Sequence, residues 1–120
     1  MRFGSRFARL ARTTSQVEAD ELQATARQLE ATPIGEAVPG EPITLTGRIR
    51  TVTLRPRSGV PALEAELYDG SGVVTVVWLG RRRIRGVSPG RPAAVTGRLT
   101  THHGRLTMFN PRYELRPYGR

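Results

Sequence analysis

The chain contains no cysteine and no lysine. Without cysteine it can form no disulfide framework, thiolate metal site or Cys nucleophile. Histidine is reduced to one adjacent pair, His102 and His103. Neighbouring residues on a turn point apart, and no further ligands accompany them, so neither a zinc site nor any other cofactor is expected. The longest apolar stretch, Val73 to Leu79, falls far short of the roughly 20 residues that cross a bilayer. Arg2, Arg6, Arg9 and Arg12 precede no apolar core or small-residue cleavage site, so a secretory signal is not expected and the cytoplasm is the default location. The acids include no His-paired nucleophile, and Ser71 lies in a hairpin rather than at a strand-to-helix elbow. A non-enzymatic protein is expected.

What the chain has in quantity is arginine. All nineteen basic residues are Arg against ten acids, for a net charge of +9. An Arg-only chain rich in Ala and Gly also matches a GC-rich coding sequence, so the placement of the charge says more than its identity. Residues 1–12 carry +4, residues 13–42 carry −5, and residues 43–120 carry +10. The basic portion favours polyanionic partners, nucleic acid before anionic membrane.

Three segments follow: a basic tail over 1–14, a helix and linker over 15–42, and a β domain over 43–120. Ser15 and Glu18 match a capping box, and Ala19, Leu22, Ala26 and Leu29 fall on one helical face up to about Ala31. That stripe can pack on the domain, pair with its own copy or dock a partner. Thr32-Pro33 ends it, because a residue before proline is pushed out of the helical region. Beyond Glu41 the period becomes two. Strands are expected at 43–54, 62–68, 73–79, 91–101 and 105–109, with extended chain resuming after Asn110-Pro111. In the first, the apolar phase shifts from Ile43, Leu45 and Ile49 to Val52 and Leu54, which requires a bulge. Leu63, Ala65 and Leu67 point inward and Glu64, Glu66 and Tyr68 outward. Asp69-Gly70-Ser71-Gly72 closes a hairpin. Residues 80–86 are too short for a long helix, and one helical turn is expected there.

The stretch from Pro39-Gly40 to Gly47-Arg48-Ile49 returns fifty residues later as Pro89-Gly90 to Gly97-Arg98-Leu99. Each copy is a turn, an alternating strand and a glycine where a strand coiling around a tight core must bend. Common descent and convergence of two curved strands both account for the match.

Gly47-Arg48-Ile49, Glu66-Leu67-Tyr68-Asp69-Gly70-Ser71-Gly72, Val76-Val77-Trp78-Leu79-Gly80, Pro89-Gly90, Gly97-Arg98 and Asn110-Pro111 occur in an order that resembles the oligonucleotide/oligosaccharide-binding (OB) fold. The order is similar to OB domains of anticodon-binding modules and of the wedge of RecG-type branch-migration helicases, over residues 43–116. The resemblance implies a mainly β protein: a five-stranded Greek-key OB-fold barrel, here with an N-terminal α-helix. No P-loop is present to carry over the helicase's motor.

The resemblance further implies a ligand lying across strands two and three, flanked by the loops joining strands one to two and four to five. The positions that match are Arg48 and Arg50 on the first strand, Arg55 and Arg57 in the first loop, and Arg98, His102, His103 and Arg105 around the second. Tyr68, Trp78 and Phe109 are the aromatic candidates, because single-stranded sites join a cationic track to flat rings. Trp78 is equally suited to the core, and Tyr68 shares its face with two carboxylates. Arg81, Arg82, Arg83 and Arg85 form the densest basic run, read either as a solvated face or as a phosphate contact. The expected function is low-specificity binding of single-stranded DNA or RNA, with repair or recombination suggested by the helicase resemblance. The rival reading is a protein-interaction or self-association module built on the N-terminal helix; membrane contact through the basic tail is not expected.

Overall fold

The computed structural model describes residues 32–118. The basic tail and the expected helix over 15–31 lie outside the described residues. Six strands follow one another: β1 (Pro42–Leu54), β2 (Ala62–Tyr68), β3 (Val73–Leu79), β4 (Pro92–His102), β5 (Arg105–Phe109) and β6 (Arg112–Leu115). They run in the order β1-β2-β3-β5-β4-β6, and pairing of β1 with β4 closes the first five into a ring. All pairs are antiparallel except β3 with β5. The expected five-stranded barrel is thus present, with one refinement. Asn110 takes a left-handed φ of 52° and Pro111 follows it, so the last strand breaks in two and β6 continues beyond β5 along the edge of β4 opposite β1.

The barrel encloses alternate residues of every strand. Leu45, Ile49, Leu63, Ala65, Leu67, Val74, Val76, Val95, Leu99 and Met108 are all buried in one cluster, each stabilised by removal of apolar surface from water. A register shift between Ile49 and Thr51 supplies the expected bulge. Val52 then packs against the core as its phase requires. Leu54 does not: it is 51% exposed, although its register partner Leu63 lies in the core.

β1 serves two partners in turn, pairing with β4 from Pro42 to Arg48 and with β2 from Arg48 to Leu54. The corner needs a residue without a side chain. A Cβ at Gly47 would lie 2.4 Å from the Tyr68 carbonyl oxygen, closer than any real contact. At the matching Gly97 a Cβ would instead meet the flexible Met108 side chain at 3.2 Å.

The two repeated segments pair with each other. Leu45 faces Val95, Pro42 faces Arg98 and Arg48 faces Pro92, a local two-fold relation between the copies. Gly40 donates its N–H to the Leu99 carbonyl at 2.9 Å and Gly90 to the Ile49 carbonyl at 2.7 Å. The side chains obey the same symmetry, since Arg48 donates to the Gly90 carbonyl at 3.3 Å and Arg98 to the Gly40 carbonyl.

The open ends are filled differently. Between β3 and β4 the expected helical turn is absent; residues 80–91 form turns, and Ile84 and Val87 enter the core directly. Left-handed Gly80, Gly86 and Gly90 allow that course. At the other end a 3-10 turn, Ile34–Glu36, caps the barrel. Ile34, within the segment read as a linker, is fully buried. Asp69 holds it there by accepting from the Ile34 N–H at 2.9 Å, and by accepting from Ser71 N (2.8 Å), Ser71 Oγ (2.7 Å) and Gly72 N (3.2 Å) it also shapes the β2–β3 turn. Gly35 completes the joint by donating to Ser71 Oγ at 2.9 Å.

Two stability predictions follow from this frame. Gly47→Ala forces the β1 corner away from a backbone carbonyl and costs about 2–3 kcal/mol, whereas Gly97→Ala costs about 1 kcal/mol or less because Met108 can move; urea unfolding of both variants measures the difference. Burial raises the Asp69 pKa, but the hydrogen bonds from Ile34, Ser71 and Gly72 outweigh it and hold the group below its ordinary 3.8. A depressed folded pKa contributes stability above the unfolded value that is lost as pH falls through the folded one. Asp69→Asn therefore costs about 1–2 kcal/mol at pH 7 and removes that component of acid sensitivity, read from unfolding midpoints between pH 7 and pH 3.

Candidate nucleic-acid interface

The strand period that turns Leu63, Ala65 and Leu67 inward turns Glu64, Glu66 and Tyr68 outward. Cross-strand register then assembles two rows. One runs Thr51, Glu66, Thr75, Thr107 across β1, β2, β3 and β5; the next runs Thr53, Glu64, Val77, Phe109. The β1–β2 loop and the β4–β5 turn rise at the edge of this face. The turn is tight, with His103 and Gly104 both left-handed (φ 53° and 75°). Between loop and turn lies a cleft of about 480 Å³ lined by Arg55, Arg57, Glu64, His102, His103 and Arg105 with Thr75 and Thr107 at its floor. A smaller hollow of about 60 Å³ continues it along β1 and β2 past Thr51, Thr53 and Glu66.

The cations of the cleft are not equally available. Arg57 is clamped, with Nη2 on Glu64 Oε2 at 2.6 Å, Nη1 at 3.3 Å from His102 Nε2, and its guanidinium carbon 5.6 Å from the Phe109 ring centroid. Glu64 is shared with Arg55 at 3.7 Å, and Arg55 is largely exposed. Arg105 is exposed and makes no ion pair among the described residues. Further along, Arg50 bonds Glu66 Oε1 at 3.2 Å while lying over the Tyr68 ring at 5.3 Å. Tyr68 is 41% exposed. An arginine already stacked beside a ring, held by a carboxylate, leaves a platform that a planar base can join.

His102 is held below the ordinary imidazole value of 6.5. Loss of hydration comes first, then the neighbouring His103 and Arg57, with Glu64 opposing them. Its ring meets Phe109 edge-on at 5.5 Å between centroids. Neutral His102 can accept from Arg57; the imidazolium cannot.

The structure thus brings together Arg55, Arg57, His102, His103, Arg105 and Phe109, with Arg50 and Tyr68 further along the same face. Arg48 and Arg98 line neither hollow and bond the Pro-Gly turns instead. Trp78 is a core residue: it is 5% exposed, donates from Nε1 to the Pro111 carbonyl at 3.3 Å and packs edge-on to Tyr113. Trp78 falls on the inward phase of β3 with Val74 and Val76 and pairs with the core residue Leu63, so it offers no ring to a ligand. Arg81, Arg82 and Arg83 are exposed on the link after β3, which begins where Gly80 donates to the Pro61 carbonyl at 2.7 Å, beside the β1–β2 loop. The threonine row was missed in the sequence, because threonine reads as a strand former; the signal was its recurrence on the outward phase of three strands.

A closed five-strand ring with a parallel β3–β5 pair and a cationic cleft across β2 and β3 defines an oligomer-binding barrel of the Greek-key type. The family model described as an OB-fold nucleic acid binding domain, of the tRNA anti-codon type, matches residues 43–116, and the chain belongs to that family. Among solved structures, RecG bound to a three-way DNA junction is similar with a TM-score of 0.60 and 23% identity over 72% of this chain. The chain corresponds to 12% of that protein's length, and the likeness is one of fold. No curated protein matches the sequence.

The charge arrangement yields a titration prediction. Followed by NMR, the His102 ring titrates below 6.5, and Glu64→Gln lowers it further, because Glu64 is the one group there that favours the imidazolium.

Proposed function

We propose that the barrel binds single-stranded nucleic acid with low sequence specificity, along the cleft between the β1–β2 loop and the β4–β5 turn. The observation that carries this reading is the exposed pair Arg55 and Arg105 on opposite rims of a threonine-floored cleft. Guanidinium groups bind phosphate oxygens through a planar fork. The face carries a cleft, and among the described residues it offers no protruding helix or ribbon of the kind that enters a duplex groove. Tyr68 supplies a stacking ring at one end of the track. Arg81, Arg82 and Arg83 extend the cationic surface past Pro61.

The protein acts, in this reading, in the cytoplasm without catalysis. The likeness to RecG bound to a three-way DNA junction favours DNA repair or recombination. DNA and RNA are separated by contacts to the 2′-hydroxyl, and the binding experiment includes both.

Fluorescence anisotropy of labelled single-stranded DNA, single-stranded RNA and duplex DNA across a salt series tests the proposal. A single strand binds most tightly, with a log–log salt slope near −0.7 per phosphate contact. Arg105→Ala makes that slope shallower by about 0.7, and changing Arg81, Arg82 and Arg83 together to Ala weakens binding and flattens it further. Arg98→Ala, which alters a turn contact, leaves the slope unchanged. Absence of binding to every strand at low salt overturns the proposal.

A further inference from the structure

The two carboxylates at the centre of a cationic face pose a question that phosphate binding does not answer. Glu64 has both oxygens committed, to Arg57 and Arg55. Glu66 has only Oε1 engaged, by Arg50, and its Oε2 meets no partner among the described residues. Thr51 and Thr75 are its register neighbours on either side. Thr75 is 8% exposed and lines both hollows, and its hydroxyl makes no hydrogen bond among the described residues. A phosphate drawn to this floor would meet like charge, so the backbone must follow Arg55 and Arg105 at the rim and turn its bases inward. The hollow beside Glu66, about 60 Å³, is too small for a base but admits a base edge, with the ring outside against Tyr68.

We infer that Glu66 and Thr75 form a base-edge subsite selecting guanine in an unpaired strand, an inference that rests on the nucleic-acid reading above. A carboxylate only accepts hydrogen bonds. Guanine presents N1–H and the N2 amino group side by side, matching two carboxylate oxygens, and next to them O6, an acceptor for the idle Thr75 hydroxyl. Adenine and cytosine offer one amino group beside a ring acceptor. Thymine and uracil offer one N–H between two carbonyls, which a carboxylate repels. Arg50 holds the Glu66 carboxylate in place from the side facing Tyr68.

The test is anisotropy at fixed salt with a dodecamer of thymines, and with the same strand carrying three isolated guanines, inosines or cytosines. The guanine strand binds about five- to tenfold more tightly than all-thymine, the low end of a bidentate base contact because the site is partly hydrated. Inosine, which lacks the N2 amino group, falls between them with the protein unaltered. Glu66→Gln brings the ratio of guanine-strand to all-thymine affinity to about one, and Thr75→Val reduces that ratio. Equal binding of all four strands with the salt dependence retained overturns the base readout and leaves the nucleic-acid reading standing. A preference that survives Glu66→Gln also overturns it, and failure of every strand to bind overturns both.

Discussion

The barrel depends on one steric fact: β1 turns a corner at Gly47 with its backbone against the Tyr68 carbonyl. One continuous strand can pair with β4 in its first half and β2 in its second only if it bends and coils there. The bulge after Ile49 completes the change of direction. These two devices set the angle at which β2 leaves β1, and so the orientation of Glu64, Glu66 and Tyr68. The candidate face inherits its geometry from the absence of a side chain at Gly47.

The face is built on opposed charges. Its arginines are drawn toward two carboxylates, and the pairs are partly exposed, where each contributes little to stability. Their effect is on position. Glu64 and His102 fix the Arg57 guanidinium against Phe109, while Arg55 and Arg105 are left outward. The candidate cleft therefore holds a clamped cation inside and solvent-exposed ones at the rim, with a threonine floor between them.

Much of the frame was legible in the sequence because it rests on local rules. Period two marked the strands, Asp69-Gly70-Ser71-Gly72 marked the hairpin, and the phase change from Ile49 to Val52 marked the bulge. The repeated Pro-Gly and Gly-Arg segments pointed to two bent strands, although that they face each other about Leu45 and Val95 is a matter of long-range register. What could not be read followed from the same limit. Arg48 and Arg98 are outward on their strands like any candidate ligand, and only the partner turn reveals their bonds to Gly90 and Gly40. Because β3 is apolar on both phases, its sequence does not show that Trp78 takes the inward phase of Val74 and Val76. The link after Gly80 needed no helical turn once Ile84 and Val87 reached the core through left-handed glycines. Of the site, the arginines and histidines were visible as charge, but their sorting into clamped and exposed groups depends on distances to Glu64 that no spacing encodes.

The internal two-fold pairing has a consequence for how the chain reaches its native state. β2 and β3 meet across a four-residue turn, and β4 and β5 across a two-residue turn, so both hairpins form from neighbouring chain. The β1–β4 seam joins segments fifty residues apart and carries the larger entropy of loop closure. Until that seam closes, two similar segments, each carrying an internal Gly-Arg pair, present unpaired edges of matching pattern. Because each copy is complementary to the other, the seam of one molecule can be completed by the open segment of a second. Exchange of β1 between chains is the misassembly that this architecture invites.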